Sequence, residues 1–348
     1  MKTVIKTEYE RIYFCSTNQD AEIVFSKLKA SKYFVLTDEN TSVHCLEHFR
    51  KYSGLDLIEI KISSGEKNKT VKTVEQIWEQ LFIHLADRKS LLINLGGGMI
   101  TDIGGFSAAT FKRGIRFVNI PTTMMGMVDA AIGGKCGVNF QNSKNQIGSF
   151  YFPEATIICT DFLKTLSHEQ QLSGFAECVK HAILKGDKNF FKKTFKQHDI
   201  LKMIYDSAKC KAKIVEADAY EKGDRQFLNF GHSLGHALES YYIQKGEEKL
   251  HGFCVAAGML LELAMSSRFA NLNEEKAYRI ESYIRKEFGS YLPPMINIEE
   301  LISLMKNDKK NENGSLVFVL MEDLGKPVSI DIIMSQKYFA DTLNKISR

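Results

Sequence analysis

Two imidazoles four residues apart, with a third a short way downstream, are the residues of this chain best suited to chemistry. They lie in Asn229-Phe230-Gly231-His232-Ser233-Leu234-Gly235-His236 and in His251-Gly252. The pattern predicts a helix over 227–240, and positions i and i+4 share a helix face. His232 and His236 then point the same way, and Arg225 and Asn229 extend the stripe upstream. Two imidazoles, a guanidinium and an amide on one face suit a metal and an anionic, hydroxylated ligand better than core packing. A single helical His is usually an ordinary polar residue; it is the pair that points to metal. Ser233 stands where a zinc protease would carry Glu, which argues against metal-assisted peptide hydrolysis. A carboxylate ligand must come from elsewhere. Glu177 is the best candidate, with Lys180 and His181 at i+3 and i+4 from it. Spacing leaves open whether His181, His236 or His251 completes the set.

A second group of residues suits phosphate. Gly96-Gly97-Gly98 follows the apolar run Leu91–Leu95 and leads into Met99 to Phe106, with Asp102 inside. Glycines let a backbone approach pyrophosphate, and a helix start offers unpaired N–H groups and a favourable dipole. The spacing is not G-x-G-x-x-G, so the usual dinucleotide fingerprint is absent, and a plain tight turn would also explain the glycines. Other ligand-type residues close predicted strands: Thr37-Asp38-Glu39-Asn40, Gly65 to Thr70 and Pro121-Thr122-Thr123. Strand C-termini are where open α/β sheets bind ligands. Asp129, Gly133-Gly134-Lys135-Cys136-Gly137-Val138-Asn139 and Lys144-Asn145 add two Lys and two Asn among glycines, which suits phosphate and hydroxyl groups. A flexible surface loop is the alternative.

The elements that must position these residues change character along the chain. Ile12-Tyr13-Phe14, Tyr33 to Leu36, Leu57 to Ile60, Leu91 to Leu95 and Ile115 to Ile120 read as strands. Helical segments such as Thr73 to Asp87, with the only Trp, lie between them. Strands alternating with helices imply a mostly parallel sheet. Beyond about Asp161 long helical stretches dominate, with one late hairpin from Leu316–Leu320 to Val328–Ile330. The expected fold is an α/β Rossmann-like domain over 1–167 followed by a mainly α-helical domain over 168–348, the boundary falling near 160–175. The lysines between Lys185 and Lys213 read as a solvated helix face.

Bulk numbers restrict the class. The chain has 348 residues, 44% hydrophobic and 25% charged, with a formal net charge of +4. That is ordinary globular composition, long enough for two cored domains, and too weakly basic to suggest nucleic acid. Met1 to Arg11 lacks the apolar run of a secretion signal. No stretch is expected to be long and apolar enough to span a bilayer. Seven dispersed cysteines without a C-x-x-C pair suggest free thiols in a reducing, cytoplasmic setting.

With these residues in view, the chain resembles the 3-dehydroquinate synthases of the sugar-phosphate cyclase group. The resemblance runs from about Tyr33 to Leu320. It rests on Gly96-Gly97-Gly98 with Asp102, Phe111-Lys112-Arg113-Gly114, Pro121-Thr122-Thr123, Val128-Asp129, Gly133-Gly134-Lys135, Lys144-Asn145, 160–166, Gly174-Phe175-Ala176-Glu177, 228–236 and His251-Gly252. It implies an N-terminal NAD domain, a helical domain holding a divalent metal (zinc or cobalt), and a cleft acting on a sugar phosphate. It also implies a homodimer. The implied reaction converts 3-deoxy-D-arabino-heptulosonate 7-phosphate to 3-dehydroquinate and phosphate, within the shikimate pathway to aromatic amino acids. It proceeds by transient oxidation, β-elimination, re-reduction and aldol closure.

Carried over residue by residue, the metal ligands fall on Glu177, His232 and His251. His236 joins the substrate shell and His181 receives no role. The implied NAD contacts are Asp38, Glu66, Lys69, Gly97, Gly98, Asp102, Thr122, Thr123, Asp129, Lys144 and Thr165. The implied substrate contacts are Arg113, Asp129, Lys135, Asn145, Lys180, Lys211, Arg225, Asn229 and His236, with a further lysine at Lys309 or Lys310. Of these, Arg113, Lys135 and Asn145 would hold the phosphate. Phe253 replaces the family's common Glu, removing a carboxylate that could steady His251. Cys136, Thr101 and Ala219 replace a usual Thr, Gly and acidic residue. The alternatives are another sugar-phosphate cyclase, an NAD- and metal-dependent polyol dehydrogenase, or a catalytically silent protein on the same fold.

Overall fold

The computed structural model describes residues 3–15, 18–141, 143–247, 249–294, 298–306 and 316–332. The chain divides into two compact units. The first comprises Met1–Gln171 and Ile200–Tyr220; the second comprises Leu172–Asp199 and Glu221–Arg348.

The first unit is built on a sheet of seven strands. These are β1 (Thr3–Lys6), β2 (Arg11–Cys15), β3 (Tyr33–Asp38), β4 (Leu57–Ile62), β5 (Leu91–Gly96), β6 (Arg116–Pro121) and, after the hairpin described next, β9 (Ala155–Cys159). A separate antiparallel hairpin pairs β7 (Lys135–Phe140) with β8 (Ser143–Phe150). The order across the main sheet is β1-β2-β9-β6-β5-β3-β4, and only the β1–β2 pair is antiparallel. From β3 the chain moves outward to β4, then returns to the other side of β3 as β5. The order therefore reverses between β3 and β5, and such a switch point opens a crevice at the strand C-termini.

Helices α1 (Asn18–Phe25), α2 (Glu39–His44), α3 (Leu46–Ser53), α4 (Val71–Ile83) and α5 (Gly98–Thr110) connect these strands. Every residue of β5 is buried, which is why it reads as one continuous apolar run. Phe34, Leu36, Leu92, Ile60, Ile100 and Ile103 form a core with Val74, Ile77 and Leu81 of α4, and Trp78 packs against it. The hairpin that stood as a candidate loop is a strand pair. Strand β8 is largely polar and its burial alternates weakly, so periodicity did not reveal the pair.

The second unit is mainly helical. Its helices are α6 (His168–Lys185, from Leu172 onward), α8 (His232–Gln244), α9 (His251–Phe269), α10 (Glu274–Phe288) and α11 (Ile298–Lys306); α7 (Ile200–Ala217) belongs to the first unit. A single cut at residue 167 would place α7 with the second. The late hairpin is β10 (Leu316–Asp323) with β11 (Lys326–Ile332). Helix α9 is apolar on all sides and is packed by α8, α10 and β10. Among the described residues it is the one helix long and apolar enough to cross a membrane by length and composition, contrary to the expectation that no stretch would qualify. It is 78% buried inside the fold, as an all-apolar core helix should be. All seven cysteines are free thiols.

The helix expected over 227–240 is broken. A 3-10 turn spans Asp224–Asn229, Phe230 is extended, Gly231 is left-handed at φ 80°, and α8 starts only at His232. His232 and His236 do share one face of α8. Arg225 and Asn229 reach the region from a different element.

Candidate active site

In the first unit the switch point carries the residues expected to meet a dinucleotide. Asp38 ends β3 and caps α2, its Oδ1 accepting from Thr41 N at 2.8 Å and from the Thr41 hydroxyl at 3.0 Å. Gly97 caps α5, and a Cβ on it would lie 3.0 Å from Thr123 Cγ2. The exposed N–H groups and dipole of α5 thus open beside the end of β5, where an anion is favoured. Thr122 donates its N–H to Gly96 O at 3.0 Å, and the Thr123 hydroxyl accepts from Gly126 N at 3.0 Å. Asp129 sits in a π-helical turn over Gly126–Ala130. Lys211 of α7 donates to its carbonyl at 2.7 Å and pairs with its Oδ1 at 2.8 Å.

Lys69 is the hub of a second cluster. The residue is 3% exposed, and its ammonium donates to Asp102 Oδ2 and Asn145 Oδ1, both at 2.6 Å, with Glu66 Oε1 at 4.0 Å. Burial opposes that charge, but Asp102 and then Glu66 outweigh it and raise the Lys69 pKa. Asn139 ties in Glu66 through its side-chain amide at 2.9 Å and accepts from Asn145 N at 2.9 Å. Lys144 is half-buried beside Asn145, and Thr165 bonds Phe162 O at 2.8 Å.

Lys135 is exposed at the start of β7, after the left-handed Gly133 and Gly134. Arg113 is not brought to the Lys69 cluster. It lies beyond the far end of α5, about 12 Å of helix from Asp102 at 1.5 Å per residue. The left-handed Lys112 and Arg113, φ 50° and 65°, turn it into an open cavity of about 600 Å³ lined also by Asp87, Arg88 and Thr110.

The second unit holds the ionic centre. Glu177 of α6 is 0% exposed, and neither of its oxygens has a hydrogen-bond partner. Lys180, one turn along and 1% exposed, forms an ion pair with it. His232 and His251 are the first residues of α8 and α9. Their Nε2 atoms stand 3.8 Å and 3.9 Å from Glu177 Oε1, and the three donor atoms lie within 4.8 Å of one another. Bonds of about 2.0–2.1 Å around a tetrahedral ion set donors a little over 3 Å apart, so this set fits a divalent metal with little contraction. Lys180 already balances the Glu177 charge, so the convergence of two imidazole nitrogens on Glu177 Oε1 is the stronger sign.

Both imidazoles present the correct nitrogen. His232 Nδ1 lies 3.1 Å from Phe230 O and His251 Nδ1 lies 3.3 Å from Glu239 Oε2, which leaves each Nε2 turned towards Glu177. Burial, then Lys180 and the neighbouring histidines, hold the His232 pKa well below its usual value. That favours the neutral, metal-binding form. His236 stays outside the donor set, its ring 5.2 Å from that of His232 and 5.9 Å from that of His251. Arg225 is 2% exposed, and the Asn229 amide donates to Gln226 O at 2.8 Å. The expected substrate lysine at Lys309 or Lys310 lies outside the described residues.

Close backbone approach builds this centre. A Cβ on Gly258 of α9 would lie 1.9 Å from Gly231 O, and one on Gly252 would lie 1.8 Å from Ser173 O of α6. Small residues at these two places set α8 and α6 against α9, and so set His232 and Glu177 against His251. Glu262 of α9, 0% exposed, accepts the N–H of Gly231 at 2.6 Å.

Three supporting residues escaped the sequence. Glu262 and Glu239 read as ordinary helical acids, and only their burial marks them. Glu10, 3% exposed, accepts the N–H of Gly133 at 3.0 Å, steadying the turn before Lys135 from the β1–β2 connection more than a hundred residues away. The buried Cys45 thiol bonds Thr165 and Thr122, and burial pushes its pKa up to about 11.

Solved structures share this fold. A 2-deoxy-scyllo-inosose synthase complexed with carbaglucose-6-phosphate, NAD+ and Co2+ superposes with a TM-score of 0.87 at 20% identity, over 99% of both chains. A 2-epi-5-epi-valiolone synthase from Streptomyces hygroscopicus subsp. jinggangensis 5008, with NAD+ and Zn2+ bound, gives 0.86 at 23% identity over 99% of this chain and 98% of its own. By fold, then, the molecule shares the architecture of these two synthases. Its sequence narrows the class. Residues 59–173 match the family model for the 3-dehydroquinate synthase N-terminal region, and residues 174–311 match that for the C-terminal region. A 3-dehydroquinate synthase of Parabacteroides distasonis is 40% identical over 324 residues, covering 91% of this chain and 92% of its own. The chain belongs to the 3-dehydroquinate synthase family, and the reaction of that family, a phosphate-eliminating lyase reaction on a sugar phosphate, is the reaction of this chain.

Proposed function

We propose that Glu177, His232 and His251 hold a divalent zinc or cobalt ion, that the β3–β5 switch point holds NAD, and that these residues serve the conversion of 3-deoxy-D-arabino-heptulosonate 7-phosphate to 3-dehydroquinate and phosphate. The observation that carries this reading is the convergence of two imidazole nitrogens on one buried carboxylate, three donor atoms in all. The first unit is accordingly the nucleotide half and the second the metal half.

The substrate resists direct loss of phosphate because no adjoining proton is acidic enough. NAD, when bound, supplies reversible oxidation of the C5 alcohol, which acidifies the C6 proton. A divalent metal, when bound, supplies polarisation of the reacting hydroxyls.

The chain's own residues do the rest. Asp38, Glu66, Lys69, Gly97, Gly98, Asp102, Thr122, Thr123, Lys144 and Thr165 seat the nucleotide. Asp129, fixed by Lys211, bridges nucleotide and substrate. Lys135 neutralises phosphate oxygens, and the Asn145 amide donates hydrogen bonds to them, as charge moves onto the leaving group. Lys180, Lys211, Arg225 and Asn229 orient the carboxylate and hydroxyls, and His236 relays the C5 hydroxyl proton. The departing phosphate accepts the C6 proton, so no further side-chain base is required. Arg113 is proposed for the same phosphate, although within its own subunit it turns into a cavity away from the Lys69 cluster.

The test is phosphate release from that heptulosonate phosphate with catalytic NAD and added zinc or cobalt, with and without a chelator. Chelator-sensitive release with dehydroquinate formation and no stoichiometric NADH is expected. Absence of release by metal-loaded protein would overturn the assignment and direct the search to other sugar phosphates. Bulk NADH from a simple polyol would make the chain a dehydrogenase. A homodimer is part of the proposal, and light scattering should return twice 39.5 kDa. The seven free thiols support a cytoplasmic location.

A further inference from the structure

The carboxylate missing at position 253 is replaced from another helix. Phe253 is 3% exposed and stacks on Tyr291 at 5.0 Å between centroids, so nothing acidic reaches His251 from its own turn. His251 opens α9 and its side chain is 31% exposed, which leaves its ring short of packing to fix it. Glu239 supplies the fixation. It lies on α8 at i+7 from His232, its side chain is 10% exposed, and its Oε2 is 3.3 Å from His251 Nδ1.

We propose that Glu239 is a positioning residue for the metal centre: it accepts the His251 Nδ1 proton, fixes the tautomer and aims Nε2 at the ion. This rests on the metal assignment made above. A carboxylate behind a ligating imidazole sets ring orientation and raises its basicity, and losing one typically costs about 10- to 100-fold in metal affinity. His232 is held differently, by the neutral carbonyl of Phe230. The two imidazoles therefore have supports of unequal strength. Helix α8 contributes one ligand directly and steadies the other through Glu239, so both imidazoles depend on how α8 lies against α9.

The experiment is a Co2+ titration of full-length, chelator-treated protein, followed by visible absorption, for the wild type, Glu239→Ala, Glu239→Gln and the ligand control His251→Ala. Wild type should bind with the bands of a low-symmetry, nitrogen- and oxygen-ligated Co2+. Glu239→Ala should bind roughly 10- to 100-fold more weakly with a shifted spectrum, while its thermal midpoint without metal stays near that of the wild type. Glu239→Gln keeps a carbonyl to accept the proton and should recover part of the affinity. It also remains informative if the alanine variant does not fold. Wild-type affinity and an unchanged spectrum in both Glu239 variants would overturn the proposal. Failure of the wild type to bind Co2+, or full binding by His251→Ala, would overturn the metal assignment itself and the role of Glu239 with it.

Discussion

Lys69, a buried residue, keeps its ammonium because Asp102, Asn145 and Glu66 surround it. Replacing it by Met should weaken NAD binding roughly 10- to 100-fold, the worth of one or two charge-assisted hydrogen bonds, as read by nucleotide titration. The pH dependence follows from the direction of its shift. A pKa raised by folding gives stability that is fully present below the unfolded value, about 10.4, and is lost as pH rises through the folded value. The difference in denaturation midpoint between wild type and Lys69→Met should thus be flat from pH 7 to 9 and close only in the alkaline range. A difference that shrinks near neutrality would show that Lys69 is not held as a cation. Lys135 is the complementary case. It is exposed, so Lys135→Ala should leave stability and metal content intact while lowering kcat/KM by about 100-fold or more. Normal turnover would remove Lys135 from the phosphate site.

Helix spacing controls the metal centre at the next scale. Gly258→Ala would put a methyl carbon where Gly231 O already lies 1.9 Å away, and neither backbone can move without parting α8 from α9. Overpacking of that kind costs about 1–3 kcal/mol. It should also separate His232 from His251, so urea stability and Co2+ affinity should fall together. Gly54→Ala is the control. Gly54 is left-handed at φ 61° with nothing within 4 Å of the added carbon, so it should cost only the conformational penalty of about 1–2 kcal/mol and leave Co2+ affinity unchanged. Most elements with a strong apolar signature were legible beforehand: β3, β4, β5 and β6 were visible as short hydrophobic runs, and the late hairpin with them, although the equally buried β9 was not. What escaped did so for physical reasons. In the β7–β8 hairpin, β8 is largely polar and alternates weakly. The break at Gly231 is invisible to periodicity, because the 3-10 turn before it continues the helical spacing of Arg225, Asn229 and His232. The implied ligands Glu177, His232 and His251 do converge, whereas Glu10, Glu239 and Glu262 act across folds of the chain that spacing cannot reach.

At the scale of the whole molecule, the path of the chain does not follow the simple order of two domains. Helix α7 is flanked on both sides by segments of the second unit, yet it is part of the first. Its inner stripe of Ile204, Ala208, Ala212 and Val215 is at most 2% exposed. Tyr205 meets Phe14 of β2 edge-on at 5.1 Å, Lys211 binds Asp129, and Glu216 accepts from Glu8 N at 3.1 Å. Family-level boundaries near residue 173 conceal this return. The chain carries its own reporter of the first unit, since its only Trp, Trp78, packs on that core and donates to Ser107 O at 3.2 Å. Ala208→Asp buries an unpaired carboxylate beneath α7, a change worth several kcal/mol. In the full-length variant, the Trp78 fluorescence transition should move to lower denaturant. Hydrogen exchange should accelerate in β2 and over 124–131 well before it changes in α8 and α9. If α7 instead belonged to a domain running unbroken from residue 168, exchange would rise first in α8 and α9, and the Trp78 transition would hold its wild-type midpoint.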